Sequence, residues 1–107
     1  MATIQDFMEL DLRVAEIKEA SEHPDADRLF VLKIDVGEES PRQLVAGIRA
    51  GYSPEQLIGK KIVIIANLEP AVIRGQESQG MLLAAKDENG IAVLTPDKDV
   101  AVGSQVK

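Results

Sequence analysis

The stretch Ser53-Pro-Glu-Gln-Leu-Ile-Gly-Lys-Lys-Ile-Val-Ile-Ile-Ala66 decides the fold. Its first half is a compact helix start. Ser53 stands at the N-cap, Pro54 at the first helical position, Glu55 in the first turn, and Gly59 is the stop. Its second half, Lys61 to Ala66, is too apolar for a half-exposed strand and reads as a central strand covered on both faces. Such a short helix cannot organise a domain, so its position among the strands carries the information.

Upstream, Arg42 to Ile48 reads as a strand, closed by Gly47 and Gly51. Before it, Leu29 to Val36 is another, ended by Gly37 and the acidic turn Glu38-Glu39-Ser40-Pro41. Leu12, Val14, Ala15 and Ile17 are interleaved with Arg13, Glu16 and Lys18, giving a strand over about 11–20. An amphipathic helix is the rival there. The β-branched Val14 and Ile17, and the Pro-containing turn that follows, favour the strand. Thr3, with Asp6 three residues on, starts a short helix that needs to reach only Met8. Downstream, Met81 to Lys86 and Ile91 to Leu94 flank Asp87-Glu-Asn-Gly90, and Asn-Gly between apolar runs signals a hairpin. The chain is therefore expected to be all-β, with five strands and a short helix between strands 3 and 4. That is the order of an oligonucleotide-binding (OB-fold) barrel. Residues 1–107 form one domain, with a C-terminal β extension over about 87–107. Val93, Leu94, Val100, Val102 and Val106 make this extension too apolar for a frayed tail. It should cap the open end of the barrel or pair with a second copy in a dimer.

The bulk numbers agree with one globular domain. The chain has 107 residues, 45% hydrophobic and 28% charged, enough for one core and not two. With no cysteine, disulfides and thiolate metal sites are excluded, which fits a reducing compartment. No apolar run matches a membrane span and no segment resembles a secretion signal, so a cytoplasmic location without membrane partners is expected. The net charge of −6 argues against a generic nucleic-acid binder. It is unevenly spread. Residues 1–27 carry eight acids against Arg13 and Lys18, whereas residues 40–86 carry Arg42, Arg49, Lys60, Lys61, Arg74 and Lys86 against three glutamates. A basic face on the middle of the chain and a solvated surface of mixed charges are both compatible with this.

Catalytic chemistry is missing from the pattern. His23, the only histidine, lies in His-Pro-Asp-Ala-Asp27, which superficially resembles a metal-ligand cluster but has the composition of a strand-to-strand turn. Gly59-Lys60-Lys61 lacks the upstream glycine and the Ser/Thr of a phosphate loop. Ser78 has no base in a local pattern. No catalytic residue, cofactor or metal is expected. The only aromatics are Phe7, Phe30 and Tyr52, too few for a binder that stacks successive bases. Any RNA contact should then run through phosphates, shape and a few polar groups.

After the central strand comes Asn67-Leu-Glu-Pro-Ala-Val-Ile-Arg-Gly-Gln-Glu-Ser-Gln-Gly-Met81, a long irregular connection of the kind that displays functional residues. Several segments here and elsewhere resemble one family. They are Asp11-Leu-Arg-Val14, His23-Pro-Asp-Ala-Asp-Arg-Leu29, Val45-Ala-Gly-Ile48, Tyr52-Ser-Pro-Glu55, Gly59-Lys60, Asn67-Leu68, Arg74-Gly75 and Glu77-Ser-Gln-Gly-Met81. In order and spacing they resemble the structure-specific tRNA-binding domain, found at the C-terminus of many bacterial methionyl-tRNA synthetases and as a small free-standing protein. A related secretion-chaperone-like dimer shares that fold and matches less of Glu77–Met81.

The resemblance implies a non-catalytic homodimer whose two barrels form one tRNA site read by shape, either free-standing or as an auxiliary domain of methionyl-tRNA synthetase. It implies tRNA contacts at Asn67, Arg74, Ser78, Gln79 and Met81. Lys33, Arg42, Lys60 and Lys61 are further candidates for phosphate. The chemistry suits these assignments: an amide that donates and accepts, a guanidinium for phosphate, a hydroxyl for a ribose 2′-OH, and a flexible apolar thioether. The alternative is a dimeric protein-interaction or chaperone-like module. Glu69 and Val72 depart from the family pattern, which usually has lysine near these positions. Losing two phosphate contacts flattens the salt dependence by about 1.8 log units.

Overall fold

A computed structural model describes all 107 residues. Helix α1 (Ile4–Met8) is closed by reciprocal hydrogen bonds: Asp6 N–H donates to Thr3 Oγ1 at 3.2 Å, and Thr3 N–H donates to Asp6 Oδ2 at 2.9 Å. The barrel strands are β1 (Leu12–Glu22), β2 (Phe30–Asp35), β3 (Arg42–Ala46) and β4 (Lys61–Ile65), with helix α2 (Pro54–Leu57) between β3 and β4. Then come β5 (Ala71–Ile73), β6 (Gln76–Ser78), β7 (Met81–Leu82), β8 (Ala84–Asp87), β9 (Gly90–Val93) and β10 (Gln105–Val106). The main sheet is antiparallel, in the order β3-β2-β1-β4-β7. It forms a nearly closed five-stranded barrel with one short helix, as the sequence order implied.

Alternation explains the core. Phe30, Leu32 and Ile34 on β2, and Ile62 and Ile64 on β4, are almost fully buried, while Val31, Lys33 and Val63 are half-buried on the outer side. Each large side chain so buried contributes about 1.5–3 kcal/mol. Leu57 drops from α2 into the same core, which is why a four-residue helix is retained there. β1 is long enough to serve two neighbours because it coils: a register shift between Ile17 and Glu19 leaves Lys18 outside the pairing.

Three details differ from the sequence reading. β4 is central by pairing, but Lys61 and Val63 stay partly exposed, so only its Ile65 end is covered on the outer face. The single strand expected over Met81 to Lys86 divides at Leu83. Leu83 N–H still donates to Val63 O at 3.0 Å as the chain swings into the β8–β9 hairpin. The connection Asn67–Met81 contains a small hairpin of its own, β5–β6.

The C-terminal extension returns to its own barrel. β10 pairs with Leu12 and Arg13 of β1, and Gly103 N–H donates to Val14 O at 2.7 Å. No helix is long and apolar enough to cross a membrane.

Candidate nucleic-acid interface

The connection between β4 and β7 is held in one shape by polar clamps. Arg42 secures both feet: its Nη1 donates to Ala66 O at 2.6 Å and to Gln79 O at 3.2 Å, one at each end of the segment. Glu38 holds the guanidinium from the other side, accepting from Nε and Nη2 at 2.8 Å each. Hydrogen bonding to Glu38 raises the Arg42 pKa, and the same bond from Arg42 lowers that of Glu38. Gln43 works further along. Its Nε2 donates to Glu77 O at 2.9 Å, its backbone N–H donates to Gln79 Oε1 at 2.9 Å, and its carbonyl accepts from Gln79 N–H at 2.7 Å.

Ser78 is 5% exposed, and its hydroxyl is fully committed. Oγ accepts from Val45 N–H and donates to Gly80 O, both at 3.0 Å. Through Ser78, Gln79 and Gln43 the chain closes the gap between the edge strands β3 and β7 with side-chain bonds and a single backbone bond instead of a continuous ladder. Gly80 is required at this closure. Its φ is +135°, and a Cβ there would sit 2.8 Å from Ile65 O and 3.3 Å from Leu44 Cδ2.

His23, 3% exposed, ties the tip to the β1–β2 turn. Asp25 N–H donates to Nδ1 at 3.0 Å, so the proton sits on Nε2, which donates to Ile73 O at 3.0 Å. Both ring nitrogens are thus used in a turn, and no set of three His, Cys, Asp or Glu side chains is gathered to hold a metal.

The expected contact residues divide by their present partners. Asn67 is a brace: Asp11 N–H donates to its Oδ1 and its Nδ2 donates to Glu9 O, each at 2.8 Å, joining the end of α1 to β1. Ser78, Gln79 and Arg42 shape the loop from within. Lys61 forms an ion pair with Asp99 at 2.6 Å and also bonds Val100 O. Lys33 donates only to the neutral Gln43 Oε1, at 2.7 Å, and Lys60 has no side-chain partner, so the charge on both remains uncompensated. Met81 is 47% exposed on β7, not buried as the start of an apolar strand would be.

Arg74 is the most prominent of them. It and Gly75 form the two-residue tip between the paired Ile73 and Gln76, with φ of +51° and +85°. Positive φ at both tip residues marks a type I′ turn. Arg74 is exposed and makes one bond, Nη1 to Asp25 O at 3.3 Å. The roles of Gln43 and of the His23 bridge were not visible in one dimension, since they depend on residues 34 and 50 positions apart, and the crowding at Gly80 comes from Ile65 and Leu44.

Residues 12–105 match the family described as Putative tRNA binding domain. The chain belongs to that family. It is 54% identical over 105 residues to a methionine–tRNA ligase from Thermococcus kodakarensis, spanning 98% of this chain and 14% of that protein. The chain thus spans about one seventh of that relative. What it matches is the tRNA-binding accessory domain and not the catalytic one, so the domain is non-catalytic. Among solved structures, the domain superposes on the CsaA chaperone from Picrophilus torridus with a TM-score of 0.92 at 33% identity, covering 100% of both chains. A MetRS-related protein from Pyrococcus horikoshii gives 0.90 at 32% identity, covering 100% of this chain and 98% of that one.

Proposed function

We propose that the domain binds folded tRNA by shape, without chemistry, as a cytoplasmic homodimer, either free-standing or as an auxiliary module of methionyl-tRNA synthetase. One observation carries this reading. In a chain of the tRNA-binding family, the Asn67–Met81 segment is clamped at both feet by Arg42 and holds Arg74 outward at its tip. A preorganised loop loses little entropy on binding. Arg74, Lys33 and Lys60 supply positive charge that no acid of the chain neutralises, while Ser78, Gln79, Arg42 and Asn67 act by holding the loop. Lys61 reaches a phosphate by exchanging Asp99. Met81 offers apolar surface beside them.

The dimer is supported by α1. This five-residue helix buries none of its side chains and exposes Ile4, Phe7 and Met8, followed by Leu10. Helices this short are not stable in isolation, so an apolar cover from a second copy fits. A second reading, a dimeric protein-interaction module, draws on the CsaA chaperone structure that matches at 33% identity over the whole chain.

Titrating folded tRNA at two salt concentrations separates the two. Binding that weakens as salt rises is expected, with loss on Arg74→Ala; no binding even at low salt refutes the tRNA reading. Solution mass should be twice that of the 11.6 kDa chain, and a monomer refutes the dimer.

A further inference from the structure

Beside the clamped loop runs an apolar groove of about 480 Å³. Val45, Ile48, Leu68, Ala71 and Met81 are among the residues that line it. Of the residues that line it, Glu69 alone is ionisable. Its carboxylate makes no hydrogen bond and no ion pair within the chain. An acceptor among the residues of a mainly apolar groove fits an occupant with a flat apolar body and donors along one edge.

Resting on the tRNA reading above, we propose that this groove receives a single unpaired base of the RNA and that Glu69 selects guanine. The Watson–Crick edge of guanine presents two adjacent donors, N1–H and the N2 amino group, which match the two oxygens of a carboxylate. Cytosine and adenine each place a ring-nitrogen acceptor beside their amino group, and uracil flanks its one N–H with two carbonyls. Each of these turns a lone pair toward the carboxylate. Met81 and Leu68, 47% and 40% exposed, cover the face of the base in place of an aromatic platform.

The chain has only three methionines, so a methyl-labelled sample reports on the groove directly. Met81 lines the groove, whereas Met1 and Met8 lie outside it and serve as references. Titration of the whole protein with each of the four nucleoside monophosphates should shift the Met81 methyl. Guanosine monophosphate should bind about fivefold or more tightly than the other three, the discrimination of one bidentate pair. Glu69→Gln should abolish that preference and leave the fold intact, as judged by the Met1 and Met8 signals. Equal affinity for all four nucleotides overturns the assignment. So does the absence of any Met81 shift, or a shift produced by an arginine-containing apolar peptide and by none of the nucleotides. Folded-tRNA affinity is measured in parallel. If tRNA binds and guanine is not preferred, only the groove assignment falls; if tRNA fails to bind as well, both readings fall.

Discussion

Arg74 occupies a backbone position suited to a different residue. A two-residue turn with positive φ at both positions is ordinarily Asn-Gly, and here the first position is Arg at +51°. An L-residue with a bulky side chain pays about 1–2 kcal/mol for the left-handed region, and asparagine largely escapes this cost by local hydrogen bonding. Replacing Arg74 by Asn removes about 1 kcal/mol of strain. It also removes the exposed bond from Nη1 to Asp25 O, 3.3 Å long and worth about 0.5 kcal/mol. The balance is a gain of about 0.5 kcal/mol, or about 2–4 °C in midpoint for a domain of this size. Arg74→Ala keeps the strain and loses the bond, so it should be less stable than the parent by about 0.5 kcal/mol. The two variants should therefore differ by about 1 kcal/mol, measurable by urea unfolding followed by circular dichroism. In tRNA titrations both should bind less tightly than the parent, with a salt slope flatter by about 0.7–0.9 for the lost phosphate contact. An asparagine variant no more stable than the alanine variant would refute the strain argument. An asparagine variant that binds tRNA as the parent does would refute the role of the guanidinium.

Ser78→Ala leaves Val45 N–H without its acceptor and Gly80 O without its donor, and should cost about 1–3 kcal/mol in urea unfolding. A loss of tRNA affinity with unchanged stability would place the hydroxyl on the RNA instead. Gly80→Ala should destabilise by about 2–4 kcal/mol, because its φ is +135° and the new methyl meets Ile65 O. Gly75→Ala, at φ +85° with nothing within 4 Å, should cost only about 1–2 kcal/mol. Equal losses in thermal melts would show that the backbone conformation alone matters at Gly80. For Glu38, hydrogen bonding to Arg42 lowers the carboxyl pKa below its ordinary 4.5, so the latch stabilises the fold above that pH and loses this contribution as pH falls further. Because Glu38 is 38% exposed, the effect is small, under about 1 kcal/mol. In acid titrations, Glu38→Gln should flatten the stability loss below pH 4.5, and an unchanged profile would show that the pair contributes nothing.

The barrel was legible because its signals are local. Alternation in Phe30–Asp35 and the Ser53-Pro54 helix start act within a few residues and give the order of elements along the chain, as does the Asn89-Gly90 turn for the separate β8–β9 hairpin. The interior of the site was legible only in outline. Ser78 and Gln79 were expected as tRNA contacts from the family resemblance, and Arg42 as a further candidate for phosphate from its charge. In the folded chain their donors and acceptors are turned inward, across separations of 24 to 37 residues. A hydrogen-bonding side chain looks the same in sequence whether it serves a ligand or the backbone of a loop. What separates the two is whether the partner is already present. By that criterion Lys60 and Glu69 have no side-chain partner in the chain, while Arg74 and Lys33 each bond only a neutral oxygen and keep their charge unpaired. On the function proposed above, the loop's binding capacity would rest on fewer residues than its composition implies. It should depend more on the rigidity supplied by Arg42 and Gln43 than on the number of polar side chains between Asn67 and Met81.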